Sequence, residues 1–325
     1  MILVTGAAGF IGFSVVRRLL DRGEVVVGLD NLNAYYDPEL KRARLAQLER
    51  RNGFTFHQVD LSDRIAAGAV FDSYPALTGI VHLAAQAGVR HSLTDPFAYV
   101  DANVSGHLVV LEACRRLAAL KHLVYASTSS VYGANTKIPF AVEDRTDQPV
   151  SLYAATKLAD ELMTKAYSRL FGIPATGLRF FTVYGPWGRP DMSAFLFTRA
   201  ILAGEPIQVF NGGEMERDFT YIDDIVAGVV AALDRPPPKD GAEPPHRIYN
   251  LGNHRRVPLM KFIETIERAC GRKAIMEFQP MQPGDVRATY SDIDASTRDL
   301  GYLPRTSIEE GIPNFVAWYR DYYGV

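Results

Sequence analysis

Cysteine is nearly absent: the chain holds two, Cys114 and Cys270, among 325 residues. Two thiols build neither a disulfide framework nor a cysteine-held metal cluster, and such scarcity fits a reducing compartment, so a cytoplasmic location is expected. An excess of one charge is missing as well. Thirty-five Lys and Arg nearly balance 37 Asp and Glu, for a net charge of −2, which leaves no electrostatic footprint for nucleic acid or an anionic membrane. No uninterrupted apolar run is long enough to span a bilayer, and the first residues lack the basic region and cleavage site of a secretory leader. The seven histidines are scattered without ligand spacing, so no metal is expected. What remains is an ordinary globular composition, 47% hydrophobic and 22% charged, in a chain long enough for a large domain and a smaller lobe.

Short β-rich runs at residues 1–5, 24–30, 55–60, 79–84, 122–127 and 175–181 alternate with helix-spaced apolar patterns at 10–20, 38–50, 100–117 and 151–171. That rhythm predicts an α/β fold with a doubly wound parallel sheet, the Rossmann arrangement. After Phe181 the rhythm fails. Gly, Pro and aromatic residues crowd 184–191, and 234–247 carries five prolines in a polar stretch that reads as a surface loop. The expected division is a dinucleotide-binding domain of residues 1–180 with roughly 218–252, and a smaller C-terminal α/β substrate-binding lobe of 181–217 with roughly 253–325.

Thr5-Gly6-Ala7-Ala8-Gly9-Phe10-Ile11-Gly12 stands between the first strand and the first helix. A glycine triplet alone is a weak signal, but this placement gives it a mechanism. Gly6 permits a tight turn, Gly9 lets the backbone approach a pyrophosphate, and Gly12 lets the helix pack on the strand; the helix start at Phe10 and Ile11 then faces the phosphates. The second strand ends at Asp30-Asn31, where a carboxylate can accept hydrogen bonds from the ribose hydroxyls. An acid there repels a 2′-phosphate, which favours NAD over NADP. Asp60 and Leu61, at the end of the third strand, suit the adenine, and Ala84 closes the fourth strand beside the same cofactor. The plainer reading, a glycine turn that only caps a helix, does not account for this placement.

The fifth strand runs into Ser127-Thr128-Ser129-Ser130, and Tyr153-Ala154-Ala155-Thr156-Lys157 opens a later helix. Tyr153 and Lys157 stand one turn apart on one face. With 16 tyrosines in the chain the spacing proves little by itself, and an exposed helix pair would be the default reading. The context reverses that default. A free phenol ionises near pH 10, too high for a base at neutral pH, whereas a neighbouring ammonium and a cationic nicotinamide both favour the phenolate. Tyr153 and Lys157 are therefore candidate catalytic and cofactor-binding residues, and Thr128 a third catalytic group that orients the same substrate hydroxyl.

The glycine loop, the Ser/Thr-rich strand end and the Tyr–Lys pair resemble the extended short-chain dehydrogenase/reductase family over essentially the whole chain. Within it, three stretches are similar to the UDP-glucuronate 4-epimerases: Asp30-Asn31-Leu32-Asn33-Ala34-Tyr35-Tyr36-Asp37 with Leu40-Lys41-Arg42-Ala43-Arg44-Leu45, Ala84-Ala85-Gln86-Ala87-Gly88-Val89-Arg90, and the long run from Leu178-Arg179-Phe180-Phe181-Thr182 through Trp187-Gly188-Arg189-Pro190-Asp191-Met192. The resemblance implies NAD-dependent interconversion of UDP-glucuronate and UDP-galacturonate through a 4-keto sugar, with Tyr153 taking the C4 hydroxyl proton. It places Ser127, Thr128, Ser129 and Thr182 against the sugar and its carboxylate, and Arg90 among the substrate contacts. Arg189 would confine the uronate, against the plainer reading of a surface-loop arginine. Arg217 matches the arginine that binds the UDP diphosphate, and a guanidinium suits phosphate through paired hydrogen bonds. Gly284-Asp285-Val286-Arg287 matches a later substrate segment, although Arg287 stands where relatives often carry a smaller residue or proline. Asp223-Asp224 reads as a helix cap rather than a metal site.

Relatives that decarboxylate or dehydrate a 4-keto sugar carry an acid just after the Thr128 position; Ser129 and Ser130 are neutral, which argues for epimerisation alone. A hexose or hexosamine 4-epimerase and a decarboxylating synthase are the alternatives within this chemistry. A non-enzymatic NAD-sensing protein is the alternative outside it, and such a protein would be expected to lose Tyr153 or Lys157. The helices at 100–117 and 151–171 carry more apolar positions than one buried face needs, among them Val104, Leu108, Leu162 and Leu170. A homodimer joined through these helices is expected, as the family pairs them.

Overall fold

The computed structural model describes residues 1–239, 243–282 and 286–325. Thirteen strands are found there: β1 (Ile2–Thr5), β2 (Val26–Asp30), β3 (Phe54–Gln58), β4 (Gly79–His82), β5 (His122–Thr128), β6 (Ala175–Phe180), β7 (Thr182–Tyr184), β8 (Pro206–Phe210), β9 (Glu216–Arg217), β10 (Phe219–Tyr221), β11 (His246–Leu251), β12 (Val257–Pro258) and β13 (Ile275–Gln279). The α-helices are α1 (Phe10–Asp21), α2 (Pro38–Glu49), α3 (Arg64–Asp72), α4 (Pro96–Tyr99), α5 (Gly106–Arg116), α6 (Leu152–Phe171), α7 (Ser193–Ala203), α8 (Ile222–Leu233), α9 (Leu259–Cys270), α10 (Asp294–Leu300) and α11 (Ile308–Tyr323).

Seven strands form one sheet in the order β11-β6-β5-β4-β1-β2-β3, every pair parallel. The period-two geometry of a strand explains why helices cover both faces. Val4, Val26, Val81 and Val124 point to the side packed by α1 and α8. Leu3, Val27, Ile80 and Leu123 point to the side packed by α3 and α5. All eight are at most 1% exposed. Each buried side chain of this kind contributes about 1.5–3 kcal/mol, so the central strands anchor everything hung on their ends.

Beyond Phe180 the chain continues to alternate more than the sequence suggests. β7 leaves the large sheet to pair with β10, α8 returns along the sheet, and β11 adds its last strand. Two further pairs, β8 with β13 and β9 with β12, shape the other wall of the cleft. The core is continuous into this part, where Phe219 and Phe262 stack at 3.8 Å between ring centroids.

Four points differ from the sequence reading. Residues 100–117 are not one regular helix: Val100–Ser105 is a π-helical segment that joins α4 to α5. Residues 64–72 form α3, which the sequence pattern left unassigned because Gly68 and the exposed Ile65 blur a short amphipathic run. Of the expected surface loop at 234–247, His246 and Arg247 already belong to β11, while residues 240–242 lie outside the described residues. Gly284 and Asp285 also lie outside them. Asp223 and Asp224 sit inside the first turn of α8 rather than capping it, and the Asp224 carboxylate accepts the N–H groups of Arg305 and Thr306.

Candidate active site

The carboxyl ends of the parallel strands open into one cleft of about 930 Å³, the place where open α/β sheets hold their ligands. Gly6, Gly9, Phe10, Ile11, Gly12, Asp30, Asn31, Asp60, Leu61 and Ala84 line one end. Thr128, Ser129, Ser130, Tyr153, Lys157 and Thr182 line its middle, and Arg90, Arg189 and Arg217 line it from the loops and small sheets.

The glycine loop is tight enough to define what it holds. Gly6 has φ +70°, and an ideal Cβ on it would lie 2.8 Å from the Ala84 backbone nitrogen. A Cβ on Gly12 would lie 1.9 Å from the Gly6 carbonyl oxygen. Gly9 caps α1 without a side-chain hydrogen bond, so the first backbone N–H groups of the helix face the cleft uncovered by any side chain. That is a cradle for a pyrophosphate. The Asp30 carboxylate is held at the end of β2 by the backbone N–H of Ala8 (3.1 Å) and Leu32 (2.8 Å). Burial would raise the Asp60 carboxyl, but hydrogen bonds from Asn31 and Ser62 hold it below its usual range. These residues suit the dinucleotide expected from the sequence.

Arg44 explains the long motif after Asp30. Fully buried, it donates to the Ala8 carbonyl (3.0 Å) and to those of Trp187 (2.7 Å) and Gly188 (3.2 Å), tying the glycine loop to the opposite wall. Lys41 donates to the Asn33 carbonyl and side-chain oxygens at 2.9 and 2.7 Å, which fixes the loop between β2 and α2.

Ser151 caps α6 by accepting the Ala154 N–H (3.1 Å), which sets Tyr153 in the first turn and Lys157 in the next. The helix is pinned from two sides. Asn103, in the π-helical segment, donates to Thr156 Oγ1 (3.0 Å) and to the Gln86 carbonyl while accepting the Gln86 N–H. Below, Glu161 receives two hydrogen bonds from Arg179 of β6 (2.9 and 2.8 Å) and one from Ser127 of β5 (2.6 Å). A buried ion pair with this many partners holds geometry well, whatever its net stability. The Tyr153 ring meets Tyr99 edge to face at 6.0 Å. Thr128 ends β5 and accepts the Ser130 N–H at 3.2 Å, which orients its hydroxyl at the cleft floor.

One assignment from the sequence changes and another gains a partner. Ser127 lines the cleft, and its hydroxyl donates to Glu161, which ties β5 to α6. The Arg287 guanidinium is 72% exposed and pairs with Glu214 at 3.1 Å; only its carbonyl reaches the site, accepting from Arg217 at 3.1 Å. The arginine fork was read from a motif, but Val286 lines the cleft and Arg287 beside it points outward onto Glu214.

Arg189 lines the cleft in a fixed pose. Its Nε donates to Asp191 at 3.0 Å, and Tyr35 donates to the same carboxylate at 3.0 Å. Burial, with the Asp191 charge, pushes the Tyr35 phenol up to about 12, so it stays a neutral donor. Arg90 lies 4.5 Å from the Phe210 ring centroid. Tyr35, Asp191, Gln86 and Asn103 were not foreseen as site residues. Gln86 is 5% exposed and lines the cleft.

The chain matches the model of the NAD dependent epimerase/dehydratase family over residues 2–252. It is 48% identical to a probable UDP-glucuronate 4-epimerase of Rhizobium meliloti, covering 99% of this chain and 97% of that one. It is 47% identical to UDP-glucuronate 4-epimerase 3 of Arabidopsis thaliana, covering 99% and 77%. Among solved structures it superposes, with a TM-score of 0.91 and 33% identity over 99% of both chains, on the UDP-glucuronic acid 4-epimerase of Bacillus cereus in complex with UDP-glucuronic acid and NAD. With the glycine cradle, the strand-end carboxylates and the Tyr153–Lys157 helix in one cleft, the chain belongs to the NAD-dependent epimerase/dehydratase family.

Proposed function

We propose that the protein interconverts UDP-glucuronate and UDP-galacturonate by inverting C4. The observation that carries this reading is the state of the carboxylates in the cleft. Among the described lining residues they are Asp30, Asp60 and Asp191, each already engaged by backbone N–H, Asn31 and Ser62, or Arg189 and Tyr35. None stands beside Thr128, where Ser129 and Ser130 are neutral. Facing them are Lys41, Arg90, Lys157, Arg189 and Arg217, a cationic set matched to a diphosphate and a sugar carboxylate.

Tyr153 accepts the proton of the C4 hydroxyl, Thr128 orients that hydroxyl, and Lys157 stands one turn further along α6 in the same cleft. Bound NAD supplies the redox chemistry, taking the C4 hydrogen with its electron pair and giving it back to the other face. A 4-keto uronate is a β-keto acid prone to lose carbon dioxide; the absence of an acid at Ser129 and Ser130 leaves that step uncatalysed. Thr182 and Arg189 hold the sugar end, and Arg217 the diphosphate. We assign NAD to residues 1–180 with roughly 218–252, from which Thr128 and Tyr153 also reach the sugar, and the rest of the UDP-sugar contacts to 181–217 with roughly 253–325. The test is incubation of purified protein with UDP-glucuronate and no added NAD. UDP-galacturonate is expected as product, and carbon dioxide as the main product would overturn the assignment of Ser129 and Ser130.

We also infer a cytoplasmic homodimer. Cys114 and Cys270 are free and buried, and among the described residues no helix is long and apolar enough to cross a membrane. Leu108 on α5 is 40% exposed, and Leu162 and Leu170 on the adjacent α6 are 62% and 71% exposed. Leu111 of the same segment is fully buried inside the chain, so only part of the surplus apolar surface is left for a partner. Light scattering at micromolar concentration should give a dimer, and Leu162→Glu should shift it to monomer. A monomeric wild type would contradict the assembly.

A further inference from the structure

The Lys157 ammonium, 2% exposed, lies 2.6 Å from the Asp160 carboxylate, which is fully buried. Asp160 does not line the cleft, whereas Lys157 does. Only one carboxylate oxygen is engaged: Oδ2 takes the lysine, and Oδ1 has no hydrogen-bond partner. A structural carboxylate in a dry interior normally has both oxygens satisfied. This one has a single partner, and that partner is the lysine of the reaction site.

We propose that Asp160 is a positioning residue that holds the Lys157 ammonium and, by partly neutralising it, sets how much positive charge the cleft presents to a bound dinucleotide. The nicotinamide ring is a cation when oxidised and neutral when reduced. A full positive charge nearby makes the ring a better hydride acceptor; an anion behind that charge moderates it. In an enzyme that returns the hydride each cycle, such moderation keeps the reduced cofactor from being a thermodynamic trap. This consequence rests on the epimerase reading, whereas the charge effect on the ring requires only that NAD be bound.

Among the buried groups packed behind Lys157, Asp160 is the one placed to titrate near neutral pH. Burial raises its carboxyl to about 6, with Lys157 opposing and Glu161 adding to the rise. His82 from β4 is driven down to about 3 by burial, with the Lys157 charge adding to it. His107 from α5 is lowered well below the usual imidazole value by burial and by His82 and Lys157. Burial also raises the Tyr125 phenol on β5 well above its usual value, so it stays neutral. Glu161 is engaged by Arg179 and Ser127, and Tyr153 stands one turn before the lysine.

The experiment uses the holoenzyme without sugar and follows reduction of its bound NAD by cyanoborohydride at 340 nm, relative to free NAD at the same pH. Asp160→Asn keeps the shape and removes the charge, and it should accelerate reduction by about tenfold at pH 8. In the wild type the relative rate should rise as pH falls through about 6, because protonation removes the carboxylate. In the variant the part of this rise that belongs to Asp160 should be missing, so the gap between variant and wild type should close as pH falls through about 6. Equal rates for variant and wild type, or a flat wild-type profile, would overturn the proposal. If Asp160→Asn does not fold, the same rise measured in Tyr153→Phe, which keeps the Asp160–Lys157 pair and removes the phenol, decides: its absence there would overturn the proposal. Loss of UDP-sugar turnover with these reduction rates as expected would count against the epimerase reading and leave the charge effect standing.

Discussion

Tyr153→Phe should lower epimerase turnover by about 10² to 10⁴-fold, the usual worth of a general base. The substitution removes one oxygen and keeps the ring, so the edge-to-face contact with Tyr99 survives. The supports of α6 survive too, because the Ser151 cap, the Asn103 bridge to Thr156 and the Glu161–Arg179 pair do not involve the phenol. NAD and UDP-sugar should remain bound, since the glycine cradle and Arg217 are untouched. Thr128→Ala should lose less, as it removes an orienting hydroxyl and leaves the base. Steady-state kinetics beside a cofactor assay separate these outcomes: retention of more than a tenth of wild-type turnover by Tyr153→Phe would remove it as the base.

Gly12→Ala has the second largest expected effect, on cofactor retention. The wild type should carry NAD through purification, because an enzyme that returns its hydride gains nothing by exchanging cofactor. A methyl on Gly12 would sit 1.9 Å from the Gly6 carbonyl oxygen and 2.7 Å from its carbonyl carbon. Backbone against backbone cannot be relieved by a rotamer change, so α1 must shift away from β1 and open the cradle. The cost in stability should reach the upper part of the range for overpacking, about 1–3 kcal/mol. Protein released on denaturation should then contain little adenine dinucleotide. Gly68→Ala is the matched control: it lies in α3 with nothing within 4 Å of its Cβ, and should be neutral or stabilise by about 0.5–1 kcal/mol. Full NAD content in Gly12→Ala would contradict the cradle.

The parts of the fold visible in the sequence are those whose constraint is local. The glycine loop, Asp30 and the alternating valines of β1, β2, β4 and β5 are each dictated by a turn, a strand end or a period of two. The Tyr153–Lys157 pair became legible only through the loop that precedes it in the chain. Residues whose role comes from tertiary placement left no such trace. Asn103 reads as a polar residue on a helix, and only the π-helical register turns it toward Gln86 and Thr156. Asp160 reads as an ordinary acid three residues after a lysine, and only its burial gives that pair meaning. Arg287 was misplaced for the related reason that a motif fixes backbone position but not where the side chain finds its partner. Its guanidinium turns to Glu214.

The central claim is that C4 is oxidised and reduced again within one cleft, with its own hydrogen returned. UDP-glucuronate carrying deuterium at C4 tests this directly when incubated with the purified protein in ordinary water. The account predicts UDP-galacturonate that keeps essentially all of its deuterium at C4, with none gained from solvent in the converse experiment in heavy water. Loss of the label to water, at a rate matching product formation, would contradict it.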